Sequence, residues 1–320
     1  MLVVAILGFL FLTLLARAQQ VTSMPRLVLA VGAPFTAVGA LCVAVFAVWR
    51  RRTVLTVSAV LLVALALAIQ MSWYYLGRPQ AIDDSVEIRV LAANIRKGGA
   101  DAASFVGLAR ANADVITIAE LTPESVDRFG IAGMWEGFPY AHLIAAPGAG
   151  GIGIWSRYPV KALSVSRHRG VLMPAVRLQV PGVRSTVVLG SVHVYSPVAG
   201  NENTVNQWRY GMAGANAQLD DFAAAAGSGS VIVGGDYNST PDARQFRDLL
   251  THGYADAVVQ TGSGFAPTFP SDTWFPPVIT IDHILTRNAA ATAVRTVDID
   301  GSDHRGLLAS VRVSLERSRQ

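Results

Sequence analysis

The sequence predicts an α/β fold of two packed β-sheets with helices outside, carried behind an apolar N-terminal arm. Three observations predict it. Apolar stretches at 2–16, 27–48 and 54–76 fill most of the first 80 residues. From residue 86 onward the hydrophobic period changes, and short β-branched runs interleave with helix-like segments. In the middle of the chain hairpin-like strand pairs dominate, which points to two sheets.

The arm comes first. Stretches 27–48 and 54–76 reach the roughly 20 residues a helix needs to cross a bilayer. The stretch 2–16 is shorter, about 22 Å as a helix. It reads as a short span or as a cleaved signal ending at Ala16-Arg17-Ala18, and the missing basic leader favours the span. A core hairpin of a soluble protein would not carry two such long runs without a charge. Arg50, Arg51 and Arg52 form a basic loop between the second and third stretches, which places that loop in the cytoplasm. Trp73, Tyr74 and Tyr75 lie near the far end of the third, as interfacial aromatics do. The expectation is a multi-pass cell-membrane protein: an arm at 1–80, a linker at 81–85, and an extracytoplasmic domain at 86–315.

Charge follows the same division. The chain carries 26 basic and 22 acidic residues, for a net charge of +4. Six arginines and no acid fall in the first 80 residues, leaving 20 bases against 22 acids beyond them. The basic pI therefore belongs to the arm and argues little for nucleic-acid binding by the domain. The single cysteine, Cys42, excludes an intrachain disulfide. The domain is long enough to bury a core without one.

The domain elements follow in order. VEIRVLAAN (86–94) alternates as a strand, and DAASFVGLAR (101–110) is a helix capped by Asp101. ADVITIAE (113–120) is a buried strand. TPESVDRFG (122–130) opens a helix with Thr122 as cap and Pro123 at its first position. Strands follow at 140–146, 151–156, 160–168, 174–180 and 185–195, then a helical stretch at about 203–225. VIVGG at 231–235 is a strand, DARQFRDLL (242–250) a helix, and VITIDHILT (278–286) a strand. AVRTVDI and GLLASVRV close the domain as strands.

Polar residues interrupt or end these apolar strands at Asn94, Glu120, His193, Asp236, Asn238, Asp282, Asp303 and His304. Each alone has an ordinary explanation: a turn, a helix cap, an Asx-turn or a hydrogen-bonded core histidine. Together they are different, because an unpaired buried charge costs several kcal/mol. Converging strand ends account for all of them at once. Carboxylates and amides without cysteine suit a hard cation, Mg²⁺ or Mn²⁺. Histidines suit acid–base work or stabilisation of developing charge. The combination is that of metal-assisted phosphate-ester hydrolysis.

The same residues, in the same order, resemble the endonuclease/exonuclease/phosphatase superfamily. The resemblance rests on Asn94, DVITIAEL with Glu120, SVHVYSP with His193, GGDYNSTP, IDHIL and SDHRGLL, and covers about 86–315. Pancreatic deoxyribonuclease, abasic-site endonucleases, neutral sphingomyelinases and inositol-polyphosphate phosphatases belong to it. The arm ahead of such a domain is similar to the membrane-anchored VanJ-type members linked to teicoplanin resistance. The resemblance implies a four-layer α/β sandwich with the site at one edge of the sheets. It implies Glu120 as metal ligand with Asn94 beside it, and Asp303 as a further candidate ligand. Asp236 would orient or deprotonate the attacking water, and Asn238 would hold the phosphate and that Asp. His304 would contact phosphate oxygens, oriented by Asp303. His193 would stabilise the transition state, and Asp282 would support a histidine or the metal. Ala119 stands where the family often has Gln, which bears on substrate more than on chemistry.

The substrate is less legible. The domain holds only Lys97 and Lys161 as lysines, an unpromising surface for a nucleic-acid backbone. Arg96 and Lys97 could meet a phosphate. FAPTFPSDTWFPP (265–277) could meet lipid through Trp274 and Phe275, or pack as a lid. The short linker keeps the site near the bilayer, within reach of a lipid-linked phosphate or pyrophosphate. Three functions fit the sequence: a membrane-anchored phosphoesterase, an anchored nuclease, and a tethered binding protein without catalysis.

Overall fold

The computed structural model describes residues 1–164, 167–200 and 203–315. The arm holds helices α1 (Leu2–Ala18), α2 (Met24–Val31), α3 (Thr36–Trp49) and α4 (Thr53–Tyr74). The second apolar stretch is broken, contrary to expectation. A short 3₁₀ turn at Ala33–Phe35 separates α2 from α3, and the two bend by 42°. Pro34 is the physical reason: it has no N–H to donate and its ring crowds the preceding turn. By length and composition α4 can cross a membrane alone, and the bent pair α2–α3 passes only if counted as one span. Helix α1, with 17 residues, is shorter. Small and apolar residues join the helices, among them Leu14, Ala33, Ala40, Leu62 and Ala66. Val38, Val45 and Leu61 lie exposed on the arm's outer faces.

The domain begins with β1 (Ser85–Asn94), α5 (Ala102–Asn112), β2 (Val115–Ala119), α6 (Pro123–Ile131) and α7 (Met134–Gly137). Strands β3 (Tyr140–Ile144), β4 (Ile152–Ser156), β5 (Val160–Ala162), β6 (Ala175–Leu178) and β7 (Val187–His193) follow. Next come α8 (Thr204–Ala226), β8 (Ser230–Asp236), α9 (Arg244–Asp248), β9 (Tyr254–Asp256) and α10 (Ala257–Thr261). Strands β10 (Asp282–Arg287), β11 (Ala289–Val297) and β12 (Gly306–Ser314) complete it.

Local chemistry sets several boundaries. Asp101 caps α5 by accepting from the Ser104 N–H at 2.9 Å. Thr122 and Ser125 form a reciprocal capping box on α6, with Pro123 at its start. Other boundaries move. The strand expected at 160–168 stops at Ala162, and its residues 165–166 lie outside the described chain. The strand expected from 278 begins only at Asp282, because Ile279 bridges to Phe269 instead. Helix α9 starts at Arg244, beyond a buried Asp242 that the sequence placed inside it.

The strands form two six-stranded sheets, ordered β11-β12-β1-β2-β4-β3 and β5-β6-β7-β8-β10-β9. Each sheet has one parallel pair, β1/β2 in the first and β7/β8 in the second. Helix α5 makes one crossover and α8 the other, as parallel neighbours require. The sheets meet through residues such as Val90, Ile154, Leu189, Ile232 and Val311. Phe105, Phe129 and Trp155 pack the helices of the first sheet against its outer face. Trp208, Phe222 and Phe246 do the same for the second. The result is two mixed sheets flanked by helices, four layers in all.

Register brings the chemistry together. Asn94 pairs with Ala119 at the ends of β1 and β2. His193 pairs with Asp236 at the ends of β7 and β8. Antiparallel β10 enters at that same end, with Asp282 opposite Asp236. Antiparallel β12 starts beside β1, with Leu307 opposite Ala92. Four strand exits and two strand entries therefore share one rim of the sandwich.

Candidate active site

The two glycines before Asp236 let the sheets and strands close on this rim. A Cβ on Gly234 would lie 2.6 Å from Thr117 Oγ1 in the opposing sheet. A Cβ on Gly235 would lie 2.1 Å from the Val192 carbonyl oxygen, and its φ is +144°. Only glycine suits that backbone and that approach. The turn that follows puts Asn238 in the left-handed region at φ +47°. Asn tolerates this better than most residues.

Asp236 is the buried centre. Its Oδ1 accepts from the Asn238 N–H at 2.7 Å. Its Oδ2 accepts from Asn94 Nδ2 at 3.0 Å and from Asn238 Nδ2 at 3.1 Å. Burial raises the Asp236 pKa, and the nearby Asp282 carboxylate adds to the rise. His304, His193 and the Asn238 N–H oppose it without cancelling it. The second hydrogen of the Asn238 amide goes to the Val194 carbonyl at 2.9 Å. Its NH₂ group thus orients Asp236 and has no hydrogen left for a phosphate, which narrows the role expected of it.

Glu120 follows β2 with φ +62°, turned back toward the rim. Its Oε2 accepts from the Lys97 N–H at 2.7 Å, and its Oε1 from Asn94 Nδ2 at 3.2 Å. Asn94 Oδ1 accepts from the Arg96 N–H at 2.9 Å, which fixes the amide with its N–H group between the two carboxylates. Asn94 therefore spans Glu120 and Asp236 directly. His193 Nε2 stands 3.8 Å from both Glu120 Oε1 and Asp236 Oδ2.

His304 shows the main correction. Its Nδ1 pairs with Asp282 Oδ2 at 2.9 Å, and its Nε2 lies 3.9 Å from Asp236 Oδ2. The residue expected to orient it, Asp303, points elsewhere: its carboxylate is 3.9 Å from Arg96 Nε. The cause is the turn before β12. Ser302 Oγ accepts from the His304 N–H at 3.0 Å and donates to the Asn94 carbonyl at 2.8 Å, which turns the ring inward toward β10. Burial by itself lowers the His304 pKa, but Asp282, Asp236 and Asp303 outweigh it and push it up to about 10. The ring is thus a cation at neutral pH.

Sequence reasoning missed Ser302, although it stands inside the SDH triplet. It also missed His283, buried next to Asp282, whose Nδ1 pairs with Asp256 Oδ2 at 2.7 Å and whose Nε2 meets the Ser239 carbonyl at 3.0 Å. The signal was there in the IDH triplet, but strand alternation sends the two neighbours to opposite faces.

The residues fit a hard divalent cation on two counts. Glu120, Asp236 and Asp282 bring three carboxylates to one rim, with the His304 cation as the strongly held positive charge among them. Asp282 Oδ1 is buried and without a hydrogen-bond partner. One oxygen of Asp236, one of Asp282 and a ring nitrogen of His304 lie within 4.8 Å of one another; while that ring is protonated, the carboxylates are the available ligands and the imidazole is not. Each Glu120 oxygen accepts one N–H bond and keeps a lone pair for a metal, and the unpartnered Asp282 Oδ1 offers a second oxygen.

A family model described as the Endonuclease/Exonuclease/phosphatase family matches residues 83–304. The chain belongs to this family. Its members are phosphatases and nucleases that generally use divalent metals. Among curated proteins no sequence match is found. Solved structures share the fold. Zebrafish (D. rerio) TDP2 humanized by 14 mutations is 16% identical, with a TM-score of 0.55 over 70% of this chain and 98% of that one. The 3′ phosphatase NExo from Neisseria, bound to a product DNA hairpin, is 16% identical with a TM-score of 0.55 over 69% and 98%. An endonuclease/exonuclease/phosphatase from Bacteroides vulgatus is 14% identical with a TM-score of 0.52 over 72% and 100%.

Proposed function

We propose that this protein is a membrane-anchored, divalent-metal-dependent phosphoesterase, of the VanJ-type arrangement, whose domain lies outside the cytoplasm and cleaves a lipid-linked phosphate ester or pyrophosphate. The observation that carries the hydrolase part is the single rim on which Asp236, the His304–Asp282 pair, Glu120 and His193 meet. Glu120 would hold Mg²⁺ or Mn²⁺, with Asn94 keeping its carboxylate in place. The ion would neutralise phosphate charge and polarise the ester. Asp236, with its raised pKa, receives a proton from the attacking water and is aimed by Asn94 and Asn238. The His304 cation donates toward a phosphoryl oxygen while Asp282 fixes its ring. His193 faces the same space and offers its Nε2 to charge building on the phosphoryl group.

The lipid-linked substrate is supported by the path of one loop. It follows α10 and passes the end of α4, where the Gly264 N–H donates to the Tyr74 carbonyl at 2.8 Å and Phe265 meets the Tyr74 ring edge-on. It then runs to Phe269, whose ring lies 4.9 Å from His304. Trp274 at its tip is 96% exposed. A loop that touches both the arm and the site suits a substrate with an apolar tail.

The test uses the full chain in detergent micelles with Mg²⁺. Phosphate release from a polyprenyl pyrophosphate or a phospholipid, without nicking of plasmid DNA, is expected. Nicking without release would make the protein a nuclease. Inactivity on every ester, with Asp236→Ala behaving like wild type in cells, would leave only a tethered binding role. A phosphatase reporter fused after residue 85 is expected to be active outside the cytoplasm; a silent reporter would overturn the orientation.

A further inference from the structure

We infer that Arg17, at the end of the first apolar helix, is a positioning residue for the catalytic strand end, so that arm and site form one working unit. The inference rests on the catalytic role proposed for Asp236. Arg17 Nε pairs with Asp242 Oδ1 at 2.7 Å, with side chains 15% and 2% exposed. Asp242 closes the same loop that Asp236 opens. Arg247 stitches the loop to the arm: its Nη1 donates to the Pro241 and Asp242 carbonyls at 2.8 and 3.0 Å, and its Nη2 to the Arg17 carbonyl. Gln245 and Val21 exchange two hydrogen bonds, at 3.2 and 2.7 Å. Val21, Leu27 and Ala30 of the arm share one apolar core with Tyr237, Phe246 and Leu249.

The other side of the loop is equally fixed. His283 holds the Ser239 carbonyl, and Asn238 holds the Val194 carbonyl. Tyr237, between them and Asp236, is fully buried and packs edge-on against Phe246 at 5.7 Å. Loop 237–243 therefore has no slack, and a move at Asp242 is passed to Asp236. Without Arg17 the Asp242 carboxylate loses its ion-pair contact and keeps only the more distant charge of Arg247, and its Oδ2 already has no hydrogen bond. A buried carboxylate in that state must take up a proton or turn toward water, and either change releases the contact that holds the loop to the arm.

A passive anchor would affect stability alone, so the test separates the two. In the full chain in detergent micelles, hydrolysis of bis(4-nitrophenyl) phosphate with Mg²⁺ gives kcat and KM per folded molecule. Arg17→Ala is expected to lower kcat at least tenfold with KM within twofold, and Arg17→Lys to restore it to within about threefold of wild type. Amides 237–243 are expected to exchange hydrogen at least tenfold faster in Arg17→Ala, with β12 unchanged; this readout does not depend on turnover. If Arg17→Ala fails to fold, Arg17→Gln carries the same test, with at least a tenfold loss in kcat and faster exchange in 237–243 expected. Wild-type kcat or wild-type exchange in the folded variant overturns the inference. A fully active Asp236→Asn would instead overturn the catalytic role itself.

Discussion

Asp282→Asn perturbs the electrostatic centre of the site. His304 is buried, and burial pulls its pKa down; Asp282 and the other carboxylates reverse this and bring it from 6.5 to about 10. A histidine held as a cation in the folded state adds stability that is fully present below its unfolded pKa. That stability is lost as pH rises through the folded value. At about 1.4 kcal/mol per pH unit, the rise corresponds to on the order of 4–5 kcal/mol. Asp282 supplies the hydrogen-bonded share at 2.9 Å, while Asp236 at 3.9 Å remains in the variant. Roughly half the effect, about 2 kcal/mol, should disappear below pH 6.5, a drop of about 4–8 °C for a domain of this size. The assay is thermal unfolding of the full chain in micelles from pH 6 to 10. Wild type should lose stability toward pH 10 along a steeper curve than Asp282→Asn. The high-pH limb of kcat/KM should move from near 10 toward neutrality in the variant. Parallel melting curves for the two proteins would refute the reasoning, because the Asp282–His304 pair would then contribute nothing that depends on pH.

Three further outcomes follow from the same geometry. Gly235→Ala would force a Cβ to within 2.1 Å of the Val192 carbonyl oxygen, so β7 and β8 must part; a loss of about 3 kcal/mol or more is expected, and an unchanged melting temperature would contradict it. Asp236→Asn should cut hydrolysis about 10²–10⁴-fold and also lower the melting temperature, since the amide leaves His304 with less negative charge beside it and turns an NH₂ group toward N–H donors; steady-state kinetics and calorimetry check the two halves. Chelation by EDTA should abolish hydrolysis and Mg²⁺ restore it, and Glu120→Gln should raise the Mg²⁺ needed for half-maximal rate about tenfold or more. An unaltered Mg²⁺ titration in that variant would remove Glu120 from the metal site.

The rim was legible in the sequence because polar residues end strands that are otherwise apolar. Asn94, Glu120, His193, Asp236, Asp282 and His304 each announce a strand boundary that way, and the fold brings them together. The partner of His304 was not legible. Adjacency favours Asp303, but the Ser302 turn directs the imidazole to a residue 22 positions away, leaving Asp303 to Arg96. The bend between α2 and α3 was hidden for a different reason. Composition sees an unbroken apolar run, whereas Pro34 acts through a missing donor. The docking of Arg17 onto Asp242 joins residues 225 positions apart, and no local pattern carries that.

Position 282–283 ties these threads into one device. Successive residues on a strand face opposite ways. Asp282 therefore turns into the rim and fixes the His304 ring. His283 turns away from it, lies 4.0 Å from the Phe246 ring, and clamps the Ser239 carbonyl while Asp256 holds its other nitrogen. One strand entry thus orients the proposed proton donor with one side chain and fastens the loop of the proposed proton acceptor with the next. The same loop is fastened again, from the arm, through Arg17 and Asp242. A general base with a raised pKa must be held still to be useful, since an unrestrained carboxylate would turn toward water and recover its ordinary value. Clamping the Asp236 loop from two sides is what keeps that carboxylate buried. Loosening either clamp should therefore lower the Asp236 pKa and the rate together, before the fold is lost.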